Sequence, residues 1–387
     1  MEKKSTSILF TGDIGFDRYM DRKWEDDKLL SESVISYFES ADHVVANVEG
    51  ALINAPDDGS KGIFFHSMNP EATVFLEKIR ADIFCLANNH TMDAGRAGIE
   101  STLAIAEKMG CKTVGAGLDV DMASEPVYLP EAGGIGMIAV GYQPTCIPAG
   151  EGKPGVFAWN DDERIAARIK EIKEKCRWCI VIVHGGEEFT AIPSPYTRNR
   201  YVGYINMGAD IVVGHHPHVP ENYEILPDGR AIFYSLGNFI FDTDYQRAHA
   251  YTDVGILLKL NLSEDGFEFE AMGTRLVRGE ERIVEGELPE IFTDISASEY
   301  EKLKGLSVSA FIAEEKKRKI FMDPARFENA DESVWQEYFH GNVTQGYDKG
   351  AHMDFSELLP IADTMADGEW KKSTLEEVKK YLLGFLD

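Results

Sequence analysis

The chain has 387 residues and a formal net charge of −27, from 39 basic and 66 acidic residues. A phosphate backbone or an anionic membrane would be repelled over most of such a surface, so the charge argues against nucleic acid and membrane surfaces as partners. The length favours two domains, or one enlarged domain, over a single small one.

The N-terminus is polar and has too few consecutive apolar residues before Thr11 to form the core of a signal peptide. No later stretch has the length needed for a membrane span. The five cysteines are irregularly spaced and do not resemble a disulfide framework. We therefore expect a cytoplasmic protein without a membrane span; the sequence does not indicate its oligomeric state.

Short apolar runs, typical of buried strands, alternate with amphipathic helical segments over most of the chain. The predicted strands are 7–10, 43–46, 83–86, 113–114, 127–129, 135–140, 179–183, 209–214, 231–234, 254–262 and 267–272. The predicted helices are one around residues 34–38, then 72–79, 99–109, a helix capped by Asn160 and Glu163, and 200–207. This alternation predicts an α/β fold.

The pattern changes near residue 279, where strand signals fade and acidic, helical segments begin. We expect one domain over residues 1–278 and a mainly helical C-terminal appendage over 279–387. The basic run at 316–319 follows two glutamates and is interpreted as a solvated helix face rather than a nucleic-acid patch. Ser373 and Glu376 form a capping box for a last helix.

Metal-competent side chains follow five of the predicted strands. They are Asp13, Asn47, Glu49, Asn89, His90, His184, His216 and His218. Strand ends at one edge of a sheet lie side by side, so these distant residues are expected to converge. Alone, Asp13 could cap a turn, and a single buried His184 is more often a core histidine than a ligand. Their repetition at five strand ends favours a shared metal site.

The donor types in this set are carboxylate, amide and imidazole, without thiolate. They suit Mn²⁺, Fe²⁺ or Zn²⁺ and not a structural cysteine-zinc site. A shared carboxylate would hold two ions about 3.5–4 Å apart, the arrangement used for hydrolytic attack at phosphorus. We expect one or two divalent ions as cofactor.

Six motifs occur in a fixed order along residues 5–275. They are Gly12-Asp13, Asn47-x-Glu49, Asn88-Asn-His-Thr-Met-Asp93, His184-Gly-Gly, Gly214-His-His-Pro-His218 and Ser235-Leu-Gly-Asn-Phe239. In this order they resemble the CapA-type poly-γ-glutamate capsule biosynthesis family (PGA_cap), a branch of the calcineurin-like metallophosphoesterase superfamily. The resemblance implies a four-layer α/β/β/α sandwich with the metals at the carboxyl ends of the strands.

The resemblance also implies roles for individual residues. Glu49 would bridge two metals, with Asp13 and His218 on one of them. Asn89, His184 and His216 would bind the other. His90 would protonate the leaving group or stabilise the transition state, and Asp93 would orient His90.

This sequence departs from the superfamily pattern at one position. The superfamily usually opens with Asp-x-His, whereas here Gly15 lies two residues after Asp13. One ligand of the first metal is therefore missing. The resemblance leaves open whether that ion binds more weakly, uses a neighbour such as Asp17, or is absent.

Two functions follow from this pattern. The first is a metal-dependent hydrolase or transferase that acts through metal-activated water on a phosphorylated or γ-glutamyl substrate, in poly-γ-glutamate metabolism. The alternative is a non-catalytic binding or assembly component of capsule polymer synthesis or export. The partner in the first case is an anionic small molecule or polymer, for which the candidate binding residues are Arg18, Asn47, His66, Arg198, Arg200 and Asn238.

Overall fold

The computed structural model describes residues 5–54, 65–142 and 145–338. The last predicted helix, at Ser373 and Glu376, lies outside these residues. The expected division into two domains at residue 279 stays a prediction.

Eighteen strands and ten α-helices occur in the described residues. The strands are β1 (Ser5–Ile14), β2 (His43–Val48), β3 (Ala51–Leu52), β4 (Ser67–Met68), β5 (Ile83–Cys85), β6 (Lys112–Val114), β7 (Ala116–Gly117), β8 (Val127–Leu129), β9 (Ile135–Gly141), β10 (Gly155–Val156), β11 (Trp178–His184), β12 (Ile211–His215), β13 (Tyr223–Ile225), β14 (Ala231–Phe233), β15 (Asn238–Ile240), β16 (Val254–Ser263), β17 (Phe267–Val277) and β18 (Arg282–Gly286). The helices are α1 (Glu32–Glu39), α2 (Thr73–Lys78), α3 (Gly95–Met109), α4 (Val120–Ala123), α5 (Asp162–Lys175), α6 (Pro195–Met207), α7 (Asp244–Arg247), α8 (Ala297–Met322), α9 (Pro324–Phe327) and α10 (Glu332–Glu337).

Two large sheets form the centre of the molecule. The first has the order β18-β17-β16-β1-β2-β5-β6, with β15 also paired to β1. The second has the order β13-β14-β12-β11-β9-β8. Strands β1, β2, β5 and β6 are parallel to one another, as are β9, β11, β12 and β14, so each sheet has an edge where several strands end together.

The sheets pack face to face because their strands are apolar on both sides. Along β11, Ile180 and Ile182 join the core cluster shared with the first sheet, whereas Val181 and Val183 join the cluster formed with α5 and α6. Neighbouring residues of a strand point to opposite faces, so this alternation places the second sheet between the first sheet and these helices. Phe38 of α1 and Phe75 of α2 belong to the cluster of the first sheet. The predicted α/β/β/α layering is confirmed.

Two helix starts differ from the sequence prediction. Helix α6 begins at Pro195 and not at residue 200, because Ser194 caps it and proline is favoured in the first turn. The cap of α5 is Asp161, whose side chain accepts from the Arg164 backbone N–H, and not Asn160.

The C-terminal part of the described chain is mainly helical, although β18 still extends the first sheet after residue 279. Helix α8 starts with a capping box in which the Ser296 backbone N–H donates to the Glu299 carboxylate at 3.0 Å. Its Tyr300 and Leu303 pack against Ala191 and Ile192. Within the described ranges, no helix is both long enough and apolar enough to cross a membrane.

Candidate metal centre

The carboxyl ends of β1 and β2 bring three polar side chains together in the interior. Asp13 lies opposite Asn47 in the parallel ladder, and Asn47 Nδ2 donates to Asp13 Oδ1 at 2.6 Å. Glu49 follows the end of β2, and all three side chains are fully shielded from solvent. Residues 34 and more positions apart in sequence meet here because adjacent parallel strands end at one edge.

The loop after β5 carries Asn89 and His90, whose side chains contact each other, with Asn89 Nδ2 3.0 Å from His90 Nε2, and also reach different partners. The Asn88 side chain holds the loop by accepting from the His90 backbone N–H at 3.2 Å. His90 Nδ1 donates to Asp93 Oδ2 at 2.8 Å, whereas Asn89 Oδ1 accepts from His184 Nε2 at 2.8 Å. Asn89 therefore faces the end of β11, and Asp93 fixes the orientation of the His90 ring.

His215 ends β12, and the loop after it carries the candidates His216 and His218. His215 Nε2 donates to the Thr11 carbonyl at 2.8 Å and so links the two sheets away from the cluster. His216 and His218 have φ angles of 98° and 60°, in a region that residues with side chains seldom adopt. Such backbone strain is retained where the surrounding structure holds it, often at functional sites.

The imidazoles of the cluster differ in protonation. Burial lowers the pKa of His184 well below its usual value, with the nearby His216 adding to the effect, and burial lowers the pKa of His216 to about 4. Both rings are therefore neutral, the form that binds metal. Burial also opposes the charged form of His218, but Glu49 and Asp13 outweigh it and raise its pKa to about 9.

Two groups of potential ligand atoms lie close together. Asp13, Glu49 and His218 offer atoms within 4.8 Å of one another, and Glu188, His216 and His218 form a second such group. His184 Nε2 is 3.7 Å from Glu49 Oε1. The structure brings all six metal ligands predicted from the sequence to this one region. They are Asp13, Glu49, Asn89, His184, His216 and His218.

Several buried polar atoms here lack a hydrogen-bond partner among the described residues. Both carboxylate oxygens of Glu49, Oδ2 of Asp13, Oδ1 of Asn47 and Nδ1 of His216 are in this state. Burial, followed by the charge of Asp13, raises the pKa of Glu49 well above its usual value. Buried polar atoms are rarely left unpaired, so this cluster is incomplete without a cation. The residues present therefore fit a divalent metal.

The region around Gly15 explains why a histidine is absent there. A Cβ atom at Gly15 would lie 2.5 Å from the ring of Phe241, which occupies the space that a side chain would need. That ring stacks on His218, with 5.1 Å between the ring centroids. Asp17, the neighbour considered as a replacement ligand, contacts His66 Nδ1 with its Oδ2 atom instead.

A cavity of about 130 Å³ opens beside the cluster. Its lining includes Asn89, His90, Glu188, His218 and Arg318. The cavity therefore adjoins both the candidate metal ligands and the predicted catalytic histidine.

The predicted substrate-binding residues separate into two sets. His66 lines the cavity, and its ring contacts that of His90 with 4.2 Å between centroids. Asn47 lies among the candidate ligands rather than in the cavity lining. Asn238 accepts from His218 Nδ1 at 3.0 Å through Oδ1, so it orients that ring, and it does not line this cavity.

The three arginines predicted to hold an anionic substrate do not line this cavity, and their role in binding substrate stays a prediction. Arg198 donates twice to Glu224, at 3.1 and 2.7 Å, and Arg200 is paired with Asp162. Both lie on α6. Arg18 is exposed, at the start of the 3₁₀ turn Arg18–Met20.

Two residues of the site were not predicted. Glu188 Oε2 accepts from the Tyr245 hydroxyl at 2.9 Å and lies 3.5 Å from Arg318 Nε. Burial opposes its charge, but Arg318 and the histidines outweigh burial and lower the pKa of Glu188 to about 2. The sequence signal for Glu188 was its position just after His184-Gly-Gly. Arg318 belongs to the basic run that was interpreted as a solvated helix face, and this interpretation was wrong for Arg318.

Comparison with known proteins agrees with the motifs. The family described as bacterial capsule synthesis protein PGA_cap matches residues 7–243. The PGA biosynthesis protein CapA of Bacillus subtilis (strain 168) is 31% identical over 66% of this chain and 68% of its own length. The capsule biosynthesis protein CapA of Bacillus anthracis is 27% identical, over 68% of this chain and 66% of its own.

A further relative is a probable polyglutamine synthesis accessory protein of Mycobacterium tuberculosis (strain CDC 1551 / Oshkosh). It is 26% identical over 52% of this chain and 56% of its own length. The chain thus spans between about half and two thirds of the length of these relatives.

Proposed function

The chain belongs to the PGA_cap family of bacterial capsule synthesis proteins, and on that premise we propose that it is a metal-dependent hydrolase or transferase. Its substrate is a phosphorylated or γ-glutamyl compound, and its role is in poly-γ-glutamate metabolism. The observation that carries this proposal is the buried Glu49 carboxylate, which has no hydrogen-bond partner among the described residues and faces neutral imidazoles beside a cavity.

The proposed metal ligands fall into two positions. Asp13, Glu49 and His218 would hold one ion, and Glu49 with Asn89, His184 and His216 would hold the other. Glu188 is an additional carboxylate within reach of His216 and His218. Mn²⁺, Fe²⁺ and Zn²⁺ suit these donors, and when bound such ions activate water and neutralise developing charge.

His90 is proposed to handle the proton of the leaving group. Asp93 holds the Nδ1 proton, so Nε2 is the atom that can exchange a proton, and His90 lines the cavity. Burial lowers the pKa of His90, partly offset by the hydrogen bond to Asp93, so the charged ring gives up its proton more readily than a free imidazole would. When the scissile bond breaks, the departing atom takes a proton on this side of the cavity.

The test begins with metal-free protein reconstituted with Mn²⁺, Fe²⁺ or Zn²⁺ and offered phosphoesters and γ-glutamyl amides. With a substrate in hand, His90→Ala should lower turnover by about 10²–10⁴, the usual contribution of a positioned general acid, with bound metal unchanged. Asn89→Ala is the matched neighbour and should lower metal affinity first. If His90→Ala removes the metal, or leaves the rate as it was, the catalytic role is wrong.

The second candidate is a non-catalytic component of capsule polymer assembly. Gly15 favours it, because the missing histidine and the Phe241 ring in its place leave one metal position with fewer ligands. This candidate predicts metal binding without turnover on any compound of the screen. The two proposals are separated by whether a metal-dependent rate exists that His90→Ala abolishes.

A further inference from the structure

Helix α8 lies outside the residues that match the family, 7–243, yet it is fixed next to the cavity. The Tyr300 hydroxyl donates to the Pro193 carbonyl at 3.0 Å, and the Ser307 hydroxyl donates to the Ile192 carbonyl at 2.8 Å. These contacts attach the first half of α8 to the loop that follows Glu188. Helix α8 is therefore held in place beside the cavity, and it contributes to the cavity lining.

The second half of α8 is held by a buried pair. His249 Nδ1 donates to Glu314 Oε2 at 2.9 Å, and both side chains are almost fully buried. The His249 ring stacks on Phe189, the residue after Glu188, with 3.8 Å between centroids. Arg318 lies one helical turn after Glu314 on α8. With Glu314 held by His249, the Arg318 side chain lines the cavity.

Arg318 is the cation that the cavity presents. Among the described residues that line it, Arg318 has the one permanent positive charge. Its side chain is 29% exposed and lies 3.5 Å from Glu188 and 3.6 Å from Glu315. A guanidinium has five N–H donors in a planar fork, a geometry that matches the oxygens of a carboxylate or a phosphate.

The size of the cavity limits what it can hold. The cavity volume of about 130 Å³ is small beside the roughly 300–1,000 Å³ of ordinary ligand pockets. It suits a single small group such as a phosphoryl or carboxylate, and the rest of a larger substrate would extend outward. An oxyanion entering a protein with a net charge of −27 needs a local cation.

We propose that Arg318 of α8 binds the oxyanion group of the substrate in this cavity. The proposal deepens the function proposed above and rests on it for the substrate class. Phosphoryl and carboxylate groups share the chemistry that a guanidinium fork recognises, so the experiment distinguishes them. The C-terminal segment thereby supplies a specificity residue that the family-matched region lacks.

The probes are inorganic phosphate and acetate, titrated calorimetrically into the full chain with Mn²⁺ and after chelation. Arg318→Gln should weaken binding of the preferred anion about 10- to 100-fold, the loss expected for a charged hydrogen bond, with Mn²⁺ affinity unchanged. Arg318→Lys keeps the charge without the fork and should fall between wild type and Arg318→Gln. Lys304→Gln is the matched control, because Lys304 lies on α8, is 33% exposed and is paired with Glu301. It should bind like wild type.

Four outcomes overturn the proposal. They are wild-type protein that binds neither anion, an Arg318→Gln variant that binds like wild type, an equal loss in Lys304→Gln, and a loss of Mn²⁺ affinity that accounts for the loss of anion. The last would make Arg318 a positioning residue for Glu188. Anion binding that depends on Arg318 in a protein that binds no metal would keep this inference and overturn the proposed function.

Discussion

Two fully buried carboxylates in this molecule have opposite surroundings. Asp242 accepts from Arg247 Nε and one terminal nitrogen at 2.8 and 2.5 Å, and from Arg278 Nε at 3.1 Å. Glu49 is equally buried but accepts no hydrogen bond from the described residues. Two arginines of the chain pair with the first carboxylate, whereas the second is opposed by the charge of His218 but receives no hydrogen bond from the described residues. Burial of an acid therefore marks a binding site only where the protein supplies no partner.

The largest expected effect is a difference in sign between substitutions of these two residues, measured as the free energy of unfolding of protein from which metal has been removed by a chelator. Asp242→Asn should lower the free energy of unfolding by about 2–3 kcal/mol, because charged hydrogen bonds are lost and two arginines keep their charge. Glu49→Gln should raise it by about 1–3 kcal/mol, because an unpaired charge no longer has to be buried.

The sign for Glu49 follows from its pKa, which the fold raises above the ordinary value of 4.5. The folded metal-free protein binds a proton that the unfolded chain releases, so stability falls as the pH rises above about 4.5. The advantage of Glu49→Gln should therefore grow with pH. Denaturant unfolding with chelator at several pH values checks this, and a destabilised Glu49→Gln at neutral pH would remove the contrast with Asp242.

A second prediction concerns Phe241, which connects the two carboxylate sites. It directly precedes Asp242, and its ring packs against Gly15 and His218. Gly15→Ala should cost about 1–3 kcal/mol of stability, because its Cβ would collide with the Phe241 ring. In a Phe241→Ala background the same change should cost much less. Equal costs in both backgrounds, measured by chemical unfolding, would show that Phe241 does not occupy the position of the missing histidine side chain.

The smallest effect is expected at the other end of β2, where His43 Nδ1 lies 3.1 Å from Asp82. The hydrogen bond to Asp82 raises the pKa of His43, and partial burial opposes it. This stabilisation is complete below the unfolded pKa of about 6.5 and is lost as the pH rises through the folded value. A partly exposed pair contributes less than about 1 kcal/mol. Asp82→Asn should flatten this part of the pH dependence of unfolding, and an unchanged slope would contradict the assignment.

The sequence predicted much of the fold because its signals are local. Apolar runs marked the strands of both sheets, and the polar residues after them marked the edge where Asp13, Glu49 and His184 meet. The hairpin between β16 and β17 was also predicted from its turn at 263–266. Short edge strands such as β13 and β18 have too few residues for an alternation of apolar and polar side chains to be recognised in the sequence.

The parts that were missed depend on contacts across the fold. Arg198 and Arg200 were selected for their charge, whereas their ion pairs with Glu224 and Asp162 depend on where α6 packs. Arg318 has an unremarkable place in a charged helix until Glu314 and His249 fix the rotation of α8. Asn238 lies in a family motif, but its hydrogen bond to His218, 20 positions away in sequence, could be found only from the fold.

The most direct test of the central claim is a metal titration of chelated protein by calorimetry, with elemental analysis of the dialysed complex. The account predicts one or two bound divalent ions in wild type and in Asp242→Asn, and the loss of at least one ion in Glu49→Gln. Wild-type protein that binds no Mn²⁺, Fe²⁺ or Zn²⁺, or a Glu49→Gln variant with the wild-type metal content and affinity, would contradict it.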